Sequence, residues 1–167
     1  GADDREVIRI QGNLGVLHMS HGDPDAALPF LREALGGLER SKGRDHPDSL
    51  DMLMKVGSVL GMLGRSEEAE DALSDAVERR RIVLGPDHPD VQAAINNLAV
   101  LYNTSGRAGL ARDLLEEALE GSSGEDWSEV TRGLRTTLVL AYDQVGDYYA
   151  AAALQRRLLK ALTDLHG

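Results

Sequence analysis

Five histidines, two pairs of adjacent glutamates and a recurring aspartate are the groups in this 167-residue chain with chemistry to offer. His18 and His21 stand three apart, which sets two imidazoles on one helical face and begins a metal site. The pattern places no carboxylate or third ligand beside them. Position 18 recurs as Tyr102 and Tyr142, a packing position, so a packed histidine and no bound metal are expected. His46 and His88 recur inside one phrase, Gly-x-Asp-His-Pro-Asp, at residues 43–48 and 85–90, and are expected as turn and cap residues. Glu67-Glu68 and Glu116-Glu117 are expected on a solvated helix face rather than as an acid/base dyad. The sequence contains no nucleophile–base–orienter set, phosphate loop or dinucleotide fingerprint. The expectation is a protein that is not an enzyme and uses no cofactor.

The elements that carry these groups are copies of one unit. The histidine phrase repeats after 42 residues, and a period of that size marks a stacked supersecondary unit. Gly22, Gly64, Gly106 and Gly146 follow the same spacing, shortened to 40 in the last step. Five residues beyond each stands Ala27, Ala69, Ala111 or Ala151, and four further on Leu31, Leu73, Leu115 and, out of pattern, Gln155. Upstream of each glycine lie Leu14-Gly15, Val56-Gly57, Leu98-Ala99 and Leu138-Val139, small residues where two helices must approach closely. The glycines suit a tight left-handed turn. Apolar residues such as Ile95, Leu98, Ala99 and Tyr102 follow a helical period. Each unit is therefore helix A, a glycine turn, helix B and a linker.

Eight helices are expected near 4–21, 24–41, 47–63, 66–83, 89–105, 108–121, 127–145 and 148–165, in repeats of about 4–46, 47–88, 89–126 and 127–167. Pro47 and Pro89 fit first helical turns, with Asp48 and Asp90 at the positive end of the dipole. Pro29 should kink the second helix or delay its start. Gly121-Ser122-Ser123-Gly124 replaces the usual linker, and Trp127 is assigned the place of His46 and His88.

Composition narrows the function further. Aromatics are 4% of the chain, with one Trp and one Phe, so the core must be aliphatic, as in packed helices. Cysteine is absent, which removes disulfides and thiolate chemistry and favours a cytoplasmic setting. No apolar run is long enough to cross a bilayer. The net charge of −10 argues against nucleic acid, but it is uneven: residues 1–48 carry −3, while residues 130–167 carry +2.

An alanine five residues after a glycine turn, preceded by a Leu/Val-Gly/Ala pair and a tyrosine, resembles the tetratricopeptide repeat in a 42-residue form. Leu84-Gly85-Pro86-Asp87-His88-Pro89-Asp90 and Asn96-Asn97-Leu98-Ala99-Val100-Leu101-Tyr102 resemble the kinesin light chain type. HEAT repeats share the period but not this Gly–Ala pattern, and the fourth unit is the least faithful. The resemblance implies an all-α, right-handed α-solenoid of about four helix-turn-helix repeats, serving as scaffold or adaptor. It also implies a concave groove built from the A helices, into which Asn13, Lys55, Asn97 and Thr137 point, with Arg9, Ser58, Asn103 and Gln144 further along the same face. An amide there offers donor and acceptor to a partner's backbone. Only Arg9 and Lys55 are basic on this face, which departs from the carboxylate clamp of chaperone-tail receptors. The implied function is a non-catalytic module that binds a partner peptide or helix. The second class is a regulatory, sensor or self-associating segment of a larger protein, with homo-oligomer contacts through its terminal helices.

Overall fold

A computed structural model describes residues 2–120 and 126–166. These form eight α-helices and, among the described residues, no strand: α1 (Ala2–Ser20), α2 (Pro24–Lys42), α3 (Pro47–Met62), α4 (Ser66–Leu84), α5 (Pro89–Thr104), α6 (Ala108–Glu120), α7 (Glu129–Gln144) and α8 (Tyr148–His166). They divide into two compact units, Gly1–Gly85 with α1 to α4 and Pro86–Gly167 with α5 to α8. In each unit the helices pair as A and B, and the second A helix packs on the first pair. The expected Gly121–Gly124 linker lies outside the described residues.

The A–B turns are built identically. Gly22, Gly64, Gly106 and Gly146 have φ between 72° and 84°, the left-handed region that glycine adopts at little cost. In each, the next residue's N–H reaches back to a carbonyl of the A helix, as Asp23 N to His18 O at 3.0 Å and Asp147 N to Tyr142 O at 2.9 Å. That closure satisfies carbonyls the helix end would otherwise leave free. The linkers are built on caps. His46 and His88 sit in extended backbone, and each Nδ1 accepts from the N–H two residues on, Asp48 and Asp90, at 3.1 Å. Pro47 and Pro89 follow at the first helical position.

Two expectations change here. The cap of α7 is Ser128, whose Oγ accepts from Thr131 N at 3.4 Å. Trp127 lies one residue earlier, because the shortened linker moves a hydroxyl, not the indole, into the capping place. Pro29 does not delay α2, which starts at Pro24 and runs through it. Pro29 is exposed, as is Asp25, whose carbonyl loses its helical donor to the proline.

The first unit's core is Ala27, Leu31, Ala34, Leu50, Val59, Ala69, Leu73 and Ala76, all at most 2% exposed. Glycine in helix A lets the pair close. A Cβ on Gly15 would lie 2.5 Å from Leu31 Cδ2, and one on Gly57 would lie 2.8 Å from Leu73 Cγ. The second unit buries Val91, Ile95, Ala99, Ala111, Leu115 and Leu134 in the same way, with Ala99 in the glycine's place. Ala118, by contrast, is only half-buried.

Candidate functional site

The inner face of each unit is the side of its A helices that carries the expected groove residues. In the first unit, Arg9 and Asn13 on α1 and Lys55 on α3 line one open cavity of about 470 Å³, floored by Ile8, Val16 and Met52. Close packing of α1 against α3 places them together: Gly12 of α1 would set a Cβ 3.1 Å from Met52 Cε. The side-chain amide of Asn13 makes no hydrogen bond, and Lys55 no ion pair, among the described residues. Arg9 is exposed and donates to Glu6 at 3.1 Å, one turn back. That hydrogen bond, then the charge, holds the Glu6 carboxyl below its usual range and raises the guanidinium. On the cavity's far rim Lys42 pairs with Asp48, whose carboxyl its hydrogen bond keeps low, and Arg80 of α4 pairs with Asp51. Ser58 is spent internally, its Oγ donating to Met54 O at 2.9 Å.

In the second unit the expected residues separate into two kinds. Asn97 is half-buried and Gln144 exposed, and neither side chain makes a hydrogen bond among the described residues. Asn103 and Thr137 are buried instead of open. Asn103 Nδ2 donates to the Thr137 carbonyl at 3.2 Å, and Thr137 Oγ1 donates to Asn96 Oδ1 at 2.7 Å. Both therefore stitch α5 to α7, the Asn103 Nδ2 and the Thr137 hydroxyl each finding a partner there while Asn103 Oδ1 is buried with none.

Sequence reading along polar residues misses the apolar part of this face. Val16, Val100 and Leu140 are exposed three residues after Asn13, Asn97 and Thr137, at the position that Ser58 holds in the second repeat. The signal was available: three residues after the expected groove position, three repeats of four carry an aliphatic side chain. An inner face of free amides beside exposed Val and Leu can take both the backbone and the side chains of a partner segment.

The groups considered for other chemistry have local duties. The His18 ring stacks on Phe30 with centroids 5.6 Å apart, and His21 Nδ1 lies 2.8 Å from Leu17 O. Glu68 is held by Arg65 at 2.6 Å and by Arg32 at 3.3 Å. Glu116 accepts from the Tyr142 hydroxyl at 2.8 Å. Burial first, and then this carboxylate, push the Tyr142 phenol up to about 12. Beside α7, the buried Arg135 lies 4.4 Å over the Trp127 ring, with Arg157 at 5.7 Å from the same ring. Desolvation, and then the charge of Arg157, lower the Arg135 guanidinium.

Comparison with known proteins agrees with this geometry. The tetratricopeptide repeat family model matches residues 6–81 and again 48–123. No curated protein sequence matches the chain. Among solved structures it is similar to a point variant of a Podosopora anserina protein assigned as a kinesin light chain, with nearly identical TPR-like repeats. The TM-score is 0.83 at 20% identity, over 95% of this chain and 76% of that one. It is also similar to BtubC (BKLC) from P. vanneervenii, with a TM-score of 0.84 at 21% identity, over 98% of this chain and 66% of that one. At such identities the likeness is one of fold. With the glycine turns, the Gly/Ala contacts and the paired helices in place, the family match over residues 6–123 carries the conclusion that the chain belongs to the tetratricopeptide repeat family.

Proposed function

We propose that the chain is a non-catalytic protein-binding module, an intracellular adaptor or scaffold that lays a partner's peptide or helix along the inner faces of its A helices. The observation that carries this reading is the division among the inner-face polar groups. Asn103, Thr137 and Ser58 are consumed in internal hydrogen bonds, while the amides of Asn13 and Asn97 and the ammonium of Lys55 have no partner among the described residues. Open groups at one recurring helical position, two of which, Asn13 and Asn97, stand three residues before an exposed valine, suit the repeating backbone of a partner chain better than a single small substrate. Tetratricopeptide repeats are generally protein–protein interaction modules, and the absence of cysteine from the sequence supports an intracellular setting.

Affinity capture with mass spectrometry would identify the partner, and titration of that partner tests the site. Asn97→Ala and Lys55→Glu should each weaken binding by about 1–3 kcal/mol with helicity intact. Unchanged affinity in both variants would move binding off the inner faces. An Asn103→Ala variant serves as contrast: it should lower the melting temperature, since it unties α5 from α7.

A further inference from the structure

At one place in the fold the fourth repeat reverses charge. Arg157 on α8 stands where the first three repeats carry Glu33, Asp75 and Glu117, and Arg135 on α7 stands where they carry Gln11, Leu53 and Ile95. Packing asks for neither change, since aliphatic side chains fill the α7 position in the second and third repeats. The two guanidiniums converge on a single ring: Arg135 lies 4.4 Å over Trp127, and Arg157 lies 5.7 Å from it. Arg135 is only 4% exposed. Burial, and then the charge of Arg157, work against its cation, and Asp126 offsets them only in part. An anion shared by both guanidiniums relieves the repulsion and offsets the desolvation.

Both arginines line an open cleft of about 550 Å³ over α7, on which α6 and α8 both pack. We propose that this cleft binds a small aliphatic carboxylate, its oxyanion held by Arg135 and Arg157 and its body lying against Leu119, Leu138 and Leu154. Planar guanidiniums suit a carboxylate, which accepts two parallel N–H donors. The leucines come from all three helices, and the cleft runs along α7 from Arg135 to Tyr142, a rise of about 10 Å. The far end disfavours a second anion: Tyr142 donates its hydroxyl to Glu116 there, and Glu120 stands one turn along the same helix. A single charge on an apolar tail fits that distribution, and a polyanion such as phosphate does not. The α8 wall is not a face that a further helix would cover. On α6, which α7 follows, the counterparts of Ala153 and Arg157 are Asp113 and Glu117, both exposed. None of the groove residues named above lines the cleft, so its occupancy is independent of the inner face.

Trp127 is the only tryptophan in the sequence, so its emission reports on this site in the full chain. Octanoate, with a tail suited to the cleft, is titrated against octanol and inorganic phosphate, and calorimetry gives a second readout. Octanoate should shift the emission saturably below about 10 mM, and octanol and phosphate should each bind about tenfold more weakly or not at all. Arg157→Glu restores the charge of the other repeats at an exposed position, so folding is preserved, and it should abolish the calorimetric signal. Arg135→Ile, which installs the third repeat's own residue, should do the same with helicity intact by circular dichroism. Arg156→Glu changes the net charge equally on the same helix but outside the cleft, and should leave octanoate binding unchanged. Octanol binding as tightly as octanoate would reduce the cleft to an apolar groove and overturn the proposal. Phosphate binding as tightly would overturn it in favour of a general anion site. Binding that survives Arg157→Glu, or is lost equally in Arg156→Glu, would overturn it too. So would the lack of any saturable response, which would leave the two arginines to pack on Trp127 alone.

Discussion

The two units follow one plan with different strictness, and the difference shows which parts of the repeat are obligatory. In the first unit both repeats keep the same parts: Gly15 and Gly57 where A meets B, and Leu31 and Leu73 on the facing B helix, each at most 2% exposed. In the second unit the third repeat keeps Leu115 and substitutes Ala99, while the fourth puts Val139 and an exposed Gln155 at those places. It also sets Arg135 at the position of Ile95, and buries it. Both units nevertheless form the same pair of hairpins. The glycine turn and the N-terminal cap recur in all or nearly all copies; the identity of the packing pair does not. A buried guanidinium is tolerated where the indole face of Trp127 and the Asp126 carbonyl receive it.

The sharpest way to break the comparison is to remove the packing leucine where the plan is strict and to alter its counterpart where it is not. Leu31→Ala should cost about 2–5 kcal/mol, since the side chain is fully buried and Gly15 offers nothing to fill the void. Gln155→Ala, at the same repeat position on an exposed surface, should stay within about 0.5 kcal/mol. Chemical denaturation of both variants checks it; equal losses would mean that the fourth repeat keeps its packing pair after all.

A smaller effect tests the linkers. His46→Ala and His88→Ala each remove an acceptor from the first turn of an A helix and should cost about 1 kcal/mol, and Ser128→Ala should behave alike despite its different chemistry. His88→Ser should recover most of the loss, because a hydroxyl caps as well as an imidazole does. If serine fails where Ser128 succeeds, the His-Pro-Asp linker holds its helix by something other than the cap.

These contrasts also mark what a single sequence discloses. The turns are legible because glycine at positive φ has few substitutes, and the A-helix starts because proline and a capping side chain stand together in the sequence. The misassignment of Trp127 has a simple origin: a linker two residues shorter hides which residue reaches the cap, and only counting back from Gly146 finds Ser128. Which inner-face residues stay open is not legible. Asn103 and Thr137 look as polar as Asn97, and their burial depends on how closely α5 and α7 approach across 34 residues of sequence. The exposed Val16, Val100 and Leu140 were legible in principle, but apolar residues on an A helix read first as core.

The smallest effect sharpens the comparison at a single repeat position, that of Tyr102 in α5 and Tyr142 in α7. Tyr102 lies under the Arg107 guanidinium, 4.8 Å from its ring centroid, whereas Tyr142 donates to the Glu116 carboxylate. Burial and that carboxylate both disfavour the phenolate, so the Tyr142 phenol stands at about 12, above the ordinary value of 10.0. The folded-state value is the raised one. The stabilisation is therefore complete below pH 10, where both folded and unfolded phenols are protonated, and is lost as pH climbs from there towards 12. Nothing should change at neutral pH. Absorbance titration of the phenolates should contain one late component that Tyr142→Phe abolishes and Glu116→Gln brings down, with burial keeping it above the ordinary range. A late component that survives in Tyr142→Phe would assign the strained phenol to another tyrosine. One untouched by Glu116→Gln would leave burial, with the charge of Asp147 behind it, as the cause, and the carboxylate partner would not be what sets the phenol apart.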